Sequence, residues 1–361
     1  MKNIQLISNL VFHFKNGSNQ FTSLILQFNF LIFVLILIST LFNTATAQTW
    51  EIADANFDTD EKLYFDDMEF FNNDVGFILA FENDRMFKTT DGGYNWYTDY
   101  KLLDSRIGDF YKLNNQIGWI IYSTVDSSVL MKTTDAGESW ESLTLPHIVS
   151  NIYFVNVQKG FLTGDTTFLK TTDGGTNWEE QIINIPGKTK RLHWIIPKFL
   201  NEDFGYALAN NGEDSWSGTP FSYFLKTTNS EDDWEVNSFS SPMPISGFHL
   251  INFISEDVGI LTHWAYLYYT IDGGDNWIKC NDSKFSSFFM NDFSFRNNEC
   301  WMVGADGFII TSIDSGKTWL NQYSPTDESI NSITFTEEKG IAISISNLLF
   351  YDLMVSVEDN I

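Results

Sequence analysis

The chain has 361 residues, 43% of them hydrophobic and 16% aromatic, and this composition excludes intrinsic disorder because it can fill a packed core. Asp and Glu number 47 against 21 Lys and Arg, which gives a formal net charge of -26. Such a charge repels nucleic acid and anionic membrane surfaces, so neither is expected as a partner.

The N-terminal segment has the layout of an export signal. Lys2 and Lys15 precede an apolar run at 30–42, and Ala45 and Ala47 follow it with the small-residue spacing of a cleavage site. The apolar run, about 13 residues, is short for a membrane span. We therefore expect a cleaved secretory signal and a secreted or periplasmic protein, with the cell surface as a further destination. No stable membrane span is expected after cleavage.

The expected cleavage, before Gln48, divides the chain into a signal peptide, 1–47, and one mature domain, 48–361. Cys280 and Cys300 are its two cysteines, and export would place them in an oxidising compartment. Two cysteines form a disulfide only if their Cα atoms lie close enough. The sequence leaves a disulfide and two separate thiols both open.

A motif first seen as KTTDGGYNW at 88–96 occurs in six copies, each ending in tryptophan. Its last eight residues define a segment that we call the box. The fourth copy is degraded, because Asn229 replaces the aspartate. The six boxes lie at 89–96, 133–140, 171–178, 227–234, 270–277 and 312–319. Their aspartates and tryptophans are Asp91, Trp96, Asp135, Trp140, Asp173, Trp178, Trp234, Asp272, Trp277, Asp314 and Trp319.

A second signature precedes each box: an aromatic-led segment, a polar turn, then usually glycine and an apolar run, as at 70–80. A seventh copy at 335–345 has no box after it. Alternating residues rich in Phe, Ile, Val, Tyr and Thr, between clusters of Asn, Asp and Gly, are typical of short strands and hairpins. Four strands in about 42 residues, repeated seven times, predict an all-β fold: a seven-bladed β-propeller of four-stranded antiparallel blades.

The two ends of the mature domain are expected to share one blade. The last repeat lacks a closing tryptophan, whereas Trp50 lies near the start of the domain in QTWEIA. We expect the N-terminal segment to supply the outer strand of the last blade, which closes the ring and leaves no long open sheet edge.

The residue types of the box suit a hairpin turn. Asp91 can accept hydrogen bonds from turn N–H groups, and Gly92 or Gly93 can take positive φ without a Cβ clash. Trp96 can then fold back and bury its ring against the neighbouring layer. The box is therefore expected to be structural, with a metal or sugar site as the alternative.

The pattern S/T-x-D-x-G-x-x-W resembles the Asp box of the bacterial neuraminidase repeat. The glycine-aromatic strand before it is most similar to that of the photosystem II assembly and stability factor-like family of exported single-domain propellers. The resemblance spans roughly 50–355 and implies a structural box on the end of each blade away from the ligand face. It also implies a basic patch that binds the partner. The acidic composition of this chain weakens the expectation of such a patch here.

Sialidases share the Asp box, and their activity would require three arginines around a carboxylate with a tyrosine nucleophile and a glutamate partner. The N-terminal Arg-Ile-Pro signature of that class is missing. Three of the chain's arginines fall in predicted loops on one face. The four arginines are Arg85, Arg106, Arg191 and Arg296. No catalytic residue is assigned from this resemblance.

The candidate ligand site lies on the face opposite the boxes, where loops of blades three to five are expected to meet. A basic segment at 185–194 and a long loop at 210–222 supply cations and indole rings, which together can hold a sugar or an acidic peptide. The alternative is that the tryptophans pack under their own loops while the lysines are solvated. The residues assigned to this site are Lys188, Lys190, Arg191, His193, Trp194, Trp216, His263 and Trp264.

No metal or cofactor is expected, because the five histidines lack metal-ligand spacing. Acidic pairs such as Asp66 and Asp67 are interpreted as solvated faces. The sequence thus predicts an exported, monomeric, non-catalytic propeller that binds a protein or glycan ligand. The alternative is a carbohydrate-active enzyme, whether a glycosidase, a sialidase-like enzyme or a lyase, that uses the loop face of the propeller.

Overall fold

The structure is a computed structural model, and the regular elements among the residues that it describes are β-strands together with one short 3-10 turn at Ala305–Gly307. Within the part of the chain that it describes, no helix is long and apolar enough to cross a membrane. The described residues are 48–80, 85–101, 106–124, 126–164, 167–183, 193–210, 223–228, 234–238, 248–263, 266–280, 289–297 and 299–353.

The strands follow the chain as seven sets. The first residues and blade 1 contain β1 (Glu51–Ile52), β2 (Asn56–Phe57), β3 (Asp67–Phe70), β4 (Gly76–Ala80), β5 (Arg85–Thr89) and β6 (Asn95–Lys101). Blades 2 and 3 contain β7 (Arg106–Lys112), β8 (Gly118–Ser123), β9 (Ser128–Thr133), β10 (Glu141–Leu145), β11 (Asn151–Phe154), β12 (Gly160–Thr163), β13 (Phe168–Thr171) and β14 (Glu179–Glu180). Blades 4 and 5 contain β15 (His193–Phe199), β16 (Gly205–Asn210), β17 (Tyr223–Thr227), β18 (Glu235–Ser238), β19 (Phe248–Phe253), β20 (Gly259–His263), β21 (Tyr266–Thr270) and β22 (Ile278–Lys279). Blades 6 and 7 contain β23 (Met290–Arg296), β24 (Glu299–Gly304), β25 (Ile309–Ser312), β26 (Leu320–Asn321), β27 (Ile330–Phe335), β28 (Lys339–Ser344) and β29 (Leu348–Asp352).

The predicted seven-bladed architecture is confirmed. Consecutive strands pair antiparallel within each of the seven sheets, so every blade is a meander of four strands. The last blade has the order β1-β29-β28-β27, and β1 pairs antiparallel with β29. The N-terminal strand therefore closes the ring, and Trp50 is buried among Trp301, Phe335 and Tyr351.

Blade 1 carries one strand that the sequence pattern did not predict. The short strand β2 pairs parallel with the outer strand β6 and makes this sheet five-stranded. Phe57 stacks on Trp96 with ring centroids 5.9 Å apart, and Asp58 accepts hydrogen bonds from the backbone N–H and the hydroxyl of Thr98. This segment covers an outer edge that the other described blades leave at four strands.

The glycine of the second signature is a packing requirement. It begins the second strand, next to an aromatic ring of the first strand of the same blade. A Cβ on Gly76 would lie 2.6 Å from the ring of Phe70, and one on Gly205 would lie 2.4 Å from the ring of Phe199. Only glycine lets the ring lie flat over the strand at this point.

The core consists of seven clusters, and each fills one interface between neighbouring blades. One cluster joins Met68 and Phe87 of blade 1 to Ile341 of blade 7, and another joins Phe77 of blade 1 to Phe110 of blade 2. The remaining five clusters join the other successive pairs. Each blade thus buries both faces, which is why the strands read as nearly continuous apolar runs.

Each box forms the turn between the third and fourth strands. In blade 1, Oδ1 of Asp91 accepts hydrogen bonds from the backbone N–H of Tyr94 (3.1 Å) and of Asn95 (2.9 Å). Trp96 donates its indole N–H to the carbonyl of Gly93 at 2.8 Å. Gly93 has a φ of 95°, in the left-handed region that favours glycine.

Box turns lie at the same end of the blades as the turns between first and second strands. The N–H of Gly92 donates to the carbonyl of Asp74 at 2.8 Å, and the N–H of Gly174 donates to the carbonyl of Gln158 at 2.8 Å. Connections between second and third strands, and between blades, consequently leave from the opposite end, which we call the loop face.

Candidate functional site

A cavity of about 450 Å³ lies where the seven innermost strands meet. Every blade contributes to its wall, which places it on the axis of the ring. Its lining includes Asp67, Asp109, Asn151, Lys198, Asn252, Asp292 and Ser332. A concave site framed by rigid strands is the usual form of a ligand pocket.

Two positions of the inner strand supply most of the polar wall. Alternate residues of a strand point to the same side, so these positions recur as two rings around the axis. The first ring lies nearer the loop face and contains Asp67, Asp109, Asn151, Ile196, Leu250, Asp292 and Ser332. The second ring lies two residues further along each strand and contains Glu69, Tyr111, Tyr153, Lys198, Asn252, Ser294 and Thr334. The residues between the rings are buried.

Two aspartates of the first ring connect their own blade to the next one. Oδ2 of Asp109 accepts a hydrogen bond from the N–H of Ile152 in blade 3 at 2.9 Å. Oδ2 of Asp292 accepts from the N–H of Ile333 in blade 7 at 2.9 Å and from the hydroxyl of Ser332 at 3.0 Å. These carboxyls therefore have a structural role as well as a place in the cavity wall.

The tyrosines of the second ring connect blades in the same way. Tyr111 donates its hydroxyl to the carbonyl of Phe154 at 2.7 Å, and Tyr153 donates to the carbonyl of Phe199 at 2.7 Å. Their rings lie 4.8 Å apart between centroids. Both hydroxyls therefore use their protons in contacts between blades.

Three polar groups of the wall lack such partners within the described part of the chain. Asp67 accepts one hydrogen bond, at Oδ1 from the N–H of Met68, and none at Oδ2. The ammonium of Lys198 makes no hydrogen bond or ion pair; it lies 5.4 Å from the centre of the Phe293 ring. The hydroxyl of Thr163 is buried and has no hydrogen-bond partner in this part of the chain, and the residue is 1% exposed.

The axial cavity raises the pKa values of its carboxyl groups. Desolvation raises the pKa of Asp109 to about 7, against the opposing effects of the Ile152 N–H and the Lys198 charge. Desolvation, together with the charges of Asp109 and Asp292, raises the pKa of Asp67 well above its usual range. The pKa values of Glu69 and Asp292 are also raised, mainly by desolvation. At neutral pH the four carboxyls consequently do not all carry a charge.

Sequence reasoning missed this cavity and misplaced Asp67. The pair Asp66 and Asp67 was interpreted as a solvated face, but Asp67 lies in the cavity wall and is partly buried. The signal in the sequence is a pair of polar residues two positions apart, which precedes the aromatic-glycine signature in five of the seven repeats, as in Asp67 and Glu69 or Asp109 and Tyr111. One such pair looks like the ordinary alternation of polar and apolar residues in a strand. It becomes part of a site only because the seven inner strands converge on the axis.

The predicted loop-face site falls largely outside the described residues. Five of its residues are not described: Lys188, Lys190, Arg191, Trp216 and Trp264. For His193 and Trp194 the structure describes only the backbone, which begins β15. His263 ends β20, and its ring stacks on Tyr266 with centroids 5.5 Å apart. The site therefore stays a prediction.

The arginines differ from the expectation that most lie in loops. Arg85, Arg106 and Arg296 lie in strands β5, β7 and β23. Arg85 forms an ion pair with Glu61 at 2.8 Å and Arg296 one with Glu299 at 3.5 Å. Two of the cations that a carboxylate clamp would need are thus already paired.

Cys280 and Cys300 are separate, buried thiols in the structure. They belong to the same core cluster between blades 5 and 6, and the thiol of Cys280 donates to the carbonyl of Gly316 at 3.2 Å. Among the described residues, no group of three or more His, Cys, Asp or Glu side chains is arranged to hold a metal ion.

Comparison with known proteins identifies similar sequences and folds. The family described as "Photosynthesis system II assembly factor YCF48" matches residues 42–148 and 142–284, together more than half of the chain. Among curated protein sequences, none matches significantly.

Solved structures with a similar fold include two YCF48 proteins and a lyase. YCF48 bound to D1 peptide is 19% identical with a TM-score of 0.64, covering 86% of this chain and 96% of that one. YCF48 from Cyanidioschyzon merolae is 17% identical with a TM-score of 0.63, covering 84% and 99%. Virginiamycin B lyase from Staphylococcus aureus is 12% identical with a TM-score of 0.60, covering 85% and 99%. At these identities the structural likeness shows the propeller fold alone.

Proposed function

Because the chain belongs to the family of the photosystem II assembly factor YCF48, we propose that it is a non-catalytic propeller that binds a segment of a partner protein during the assembly of a larger complex. The observation that carries the proposal is the axial cavity, which all seven blades line and whose wall includes the Thr163 hydroxyl, a group with no hydrogen-bond partner among the described residues. A solved YCF48 is bound to a D1 peptide, so a propeller of this family can hold a protein segment. The photosystem itself is not part of the proposal.

We place the bound segment across the loop face, with one of its side chains entering the axial cavity. The first ring of the cavity lies toward this face, and the basic and aromatic residues of 185–194 and 210–222 are expected beside it. Polar groups with fixed positions in a rigid wall would select the entering side chain, while the loops supply contact area.

The proposal is tested by capture of the partner from the cells that produce the protein. The mature domain is immobilised and compared with Ser294→Met, which places a larger side chain in the cavity wall without removing a hydrogen bond made by Ser294 in the structure. We expect one or more proteins captured by the wild type to be lost with Ser294→Met. A matched control is Thr176→Met, at an exposed position of the third box turn, which should capture normally.

The loop face is tested separately. Replacing Trp194 and Trp216 by Ala should abolish capture and leave the melting temperature unchanged if these rings contact the partner. A fall in melting temperature together with the loss of capture would instead indicate that the tryptophans pack under their own loops. Equal capture by the double variant would remove these residues from the site.

A carbohydrate-active enzyme is the second candidate, and one observation favours it. Four carboxyls line one cavity, and the pKa of Asp109, raised to about 7, suits a general acid. Hydrolysis of a panel of nitrophenyl glycosides by the wild type, lost in Asp109→Asn, would support this activity. No turnover of any of them by the wild type would leave the binding function as the better proposal.

We further propose that residues 1–47 direct export and are removed before Gln48, and that the mature domain is a monomer. Mass spectrometry of the protein recovered from the periplasm and the medium should give the mass of 48–361. Light scattering during size-exclusion chromatography should give the mass of one chain. An intact N-terminus in both fractions would contradict the proposed cleavage.

A further inference from the structure

The charges around the axial cavity do not balance. Glu69 has a cation of its own, since the ammonium of Lys112 lies 3.4 Å from its carboxylate. The other cation of the cavity wall, Lys198, interacts electrostatically with Asp292 and Asp109. Each of these aspartates also accepts a hydrogen bond from the next blade. Glu69, Asp109 and Asp292 are therefore each stabilised by a nearby cation or by a donor from another blade.

Asp67 is the exception among the four acids. Within the described residues its only hydrogen bond comes from the N–H of the residue that follows it, and the charges that act on it are the negative ones of Asp109, Asp292 and Glu69. Asp67 belongs to the wall of a cavity with room for a side chain. A carboxylate in this position gains further stabilisation from a proton or from a cation that enters from outside.

Thr163 supplies a second and independent indication of a ligand. The position lies opposite Asn151 in the sheet of blade 3, and it contributes to the cavity wall. Among the described residues the hydroxyl of Thr163 has no hydrogen-bond partner, and the residue is 1% exposed. An unpaired buried hydroxyl is unfavourable unless a ligand uses it. The equivalent positions of the other blades are Leu79, Ile121, Leu208, Thr262, Val303 and Ile343.

We propose that the axial cavity binds the cationic side chain of a lysine or arginine presented by the bound protein segment, with the Asp67 carboxylate as its main acceptor. This inference rests on the proposed protein-binding function and names the chemistry that the cavity recognises. The entering ammonium or guanidinium donates to Oδ2 of Asp67, and the Thr163 hydroxyl offers a further acceptor in the same wall. A charged hydrogen bond in an enclosed site is strong enough to select a basic side chain over a neutral one.

Binding is coupled to the release of protons. In the empty cavity the raised pKa values of Asp67 and Asp109 keep protons on the cluster near neutral pH, and an incoming cation makes the ionised form favourable. Affinity therefore rises with pH, by up to about tenfold per pH unit for each proton released. The titratable groups that line the cavity are Asp67 and Glu69 on β3, Asp109 and Tyr111 on β7, Tyr153 on β11, Lys198 on β15, Tyr206 on β16 and Asp292 on β23. Lys112 on β7 pairs with Glu69.

Calorimetric titration with two capped pentapeptides tests the inference. Gly-Gly-Lys-Gly-Gly carries the cation, and the same peptide with acetyl-lysine keeps the length but not the charge. We expect the mature domain to bind the lysine peptide at least tenfold more tightly than the acetylated one at pH 7.5, and more weakly at pH 5.5. Titrations in phosphate and in Tris should differ in heat because protons are released into the buffer.

Three variants assign the effect to named side chains. Asp67→Asn should weaken binding of the lysine peptide at least tenfold and reduce its pH dependence. Thr163→Val should weaken it severalfold while the protein stays folded. Asp126→Asn removes one exposed acid and changes the net charge equally, so it should bind like the wild type. Circular dichroism confirms that each variant is folded.

Several results would overturn the inference. These are equal binding of both peptides, no binding of either, or unchanged binding by Asp67→Asn. Spermidine binding that depends on Asp67 without binding of the lysine peptide would overturn the assignment to a protein side chain.

Partner capture separates the two proposals. If Asp67→Asn captures the partner as well as the wild type does, the cation inference fails and the protein-binding function stands. If the wild type captures no partner but binds the lysine peptide with the expected pH dependence, the cation specificity of the cavity stands and the protein-binding function fails.

Discussion

Thr163 shows how a single side chain can be costly to the fold and useful to a site. Its hydroxyl is buried and has no partner in the part of the chain that the structure describes, at a position where five other blades have Leu, Ile or Val. A buried, unsatisfied hydroxyl costs about 1–3 kcal/mol relative to an apolar group of the same shape. A residue of this kind is retained in a core at the expense of stability.

Replacing Thr163 by Val should therefore stabilise the protein. The valine methyl group fills the space of the hydroxyl and removes the unsatisfied group, so we expect the free energy of unfolding to rise by about 1 kcal/mol. Urea denaturation followed by tryptophan fluorescence measures the change. Thr89→Val is the matched control, because the Thr89 hydroxyl donates to Asp91 and accepts from the N–H of Gly93, so its loss should destabilise. A destabilised Thr163→Val would show that the hydroxyl has a partner in solution.

The contacts of a box residue are local in the chain, whereas those of a cavity residue are not, and only local contacts leave a signal in the sequence. The role of Asp91 is local, because all the groups that it contacts lie within four residues of it. The role of Asp67 depends on Asp109 and Asp292, which are distant in the chain and meet it only at the axis of the ring. An acidic residue beside another acid, as Asp67 is beside Asp66, gives no local sign of that convergence.

At the scale of the element, lysines link consecutive box turns. The lysine that opens the motif reaches across the interface to the box glycine of the next blade. Lys88 donates to the carbonyl of Gly137 at 2.9 Å and to Glu138 at 2.9 Å, and Lys132 donates to the carbonyl of Gly174 at 3.2 Å. The repeated lysine is thus part of the contact between blades, a role that the box pattern alone did not suggest.

Lys132→Met should destabilise the domain by about 1–2 kcal/mol. Methionine keeps most of the apolar stem that packs over Trp119, but it leaves the carbonyl of Gly174 without its charged donor. Lys317→Met, at an exposed position of the sixth box, is the control and should change stability by less than about 0.5 kcal/mol. Equal midpoints for the two variants in urea denaturation would show that the link between blades contributes nothing.

Elements with a repeated pattern were predicted, and elements without one were not. The seven meanders follow from the box and the glycine signature, which recur in the sequence. Strand β2 has two residues and pairs parallel with β6, so neither its length nor its partner has a signal in the repeat. It extends blade 1 because the ring of Phe57 stacks on Trp96 and Phe65.

At the scale of the molecule, closure of the ring depends on two residues of β1 and on one tryptophan. Strand β1 contributes only Glu51 and Ile52 to blade 7, both exposed, whereas the adjacent Trp50 is 1% exposed. The ring of Trp50 contacts Trp301 of blade 6 and Tyr351 of blade 7. The indole, more than the short strand, holds the chain ends together.

Trp50→Ala should therefore cost about 3–5 kcal/mol, the usual effect of removing a large buried aromatic side chain. The measurement is urea denaturation of the mature domain. Tyr323→Ala is the control, because Tyr323 is 65% exposed and its removal leaves no cavity. A loss of less than about 1 kcal/mol for Trp50→Ala would show that the ring stays closed without this anchor.

The dependence of stability on pH follows from two sets of carboxyls with opposite shifts. Hydrogen bonds from the side chain and N–H of Ser139 lower the pKa of Asp135 to about 2, and the N–H and side chain of Asn177 do the same for Asp173. A lowered pKa contributes stability above the unfolded value near 3.8, and this contribution is lost as pH falls toward 2. The box turns therefore weaken in strong acid.

The carboxyls of the axial cavity have the opposite effect on stability. The pKa of Asp109 is raised to about 7, so the folded protein holds a proton that the unfolded chain has lost above its own pKa near 3.8. This contribution is complete below about pH 4 and declines by up to about 1.4 kcal/mol per pH unit until pH passes 7. Asp67 and Asp292, whose pKa values are also raised, add to the decline. The free energy of unfolding should consequently be greatest near pH 4.

Urea denaturation of the wild type and of Asp109→Asn at pH 4, 5.5 and 7 measures the share of one carboxyl. Asparagine can still accept the hydrogen bond from Ile152 through its amide oxygen, but it has no proton to lose. The variant should therefore lose less stability than the wild type between pH 4 and pH 7. Equal losses would mean that Asp109 ionises normally, and that the channel admits enough water to solvate its charge. Because the same carboxyl cluster is proposed to receive a cation, a bound lysine peptide should reduce the loss in the wild type more than in Asp109→Asn.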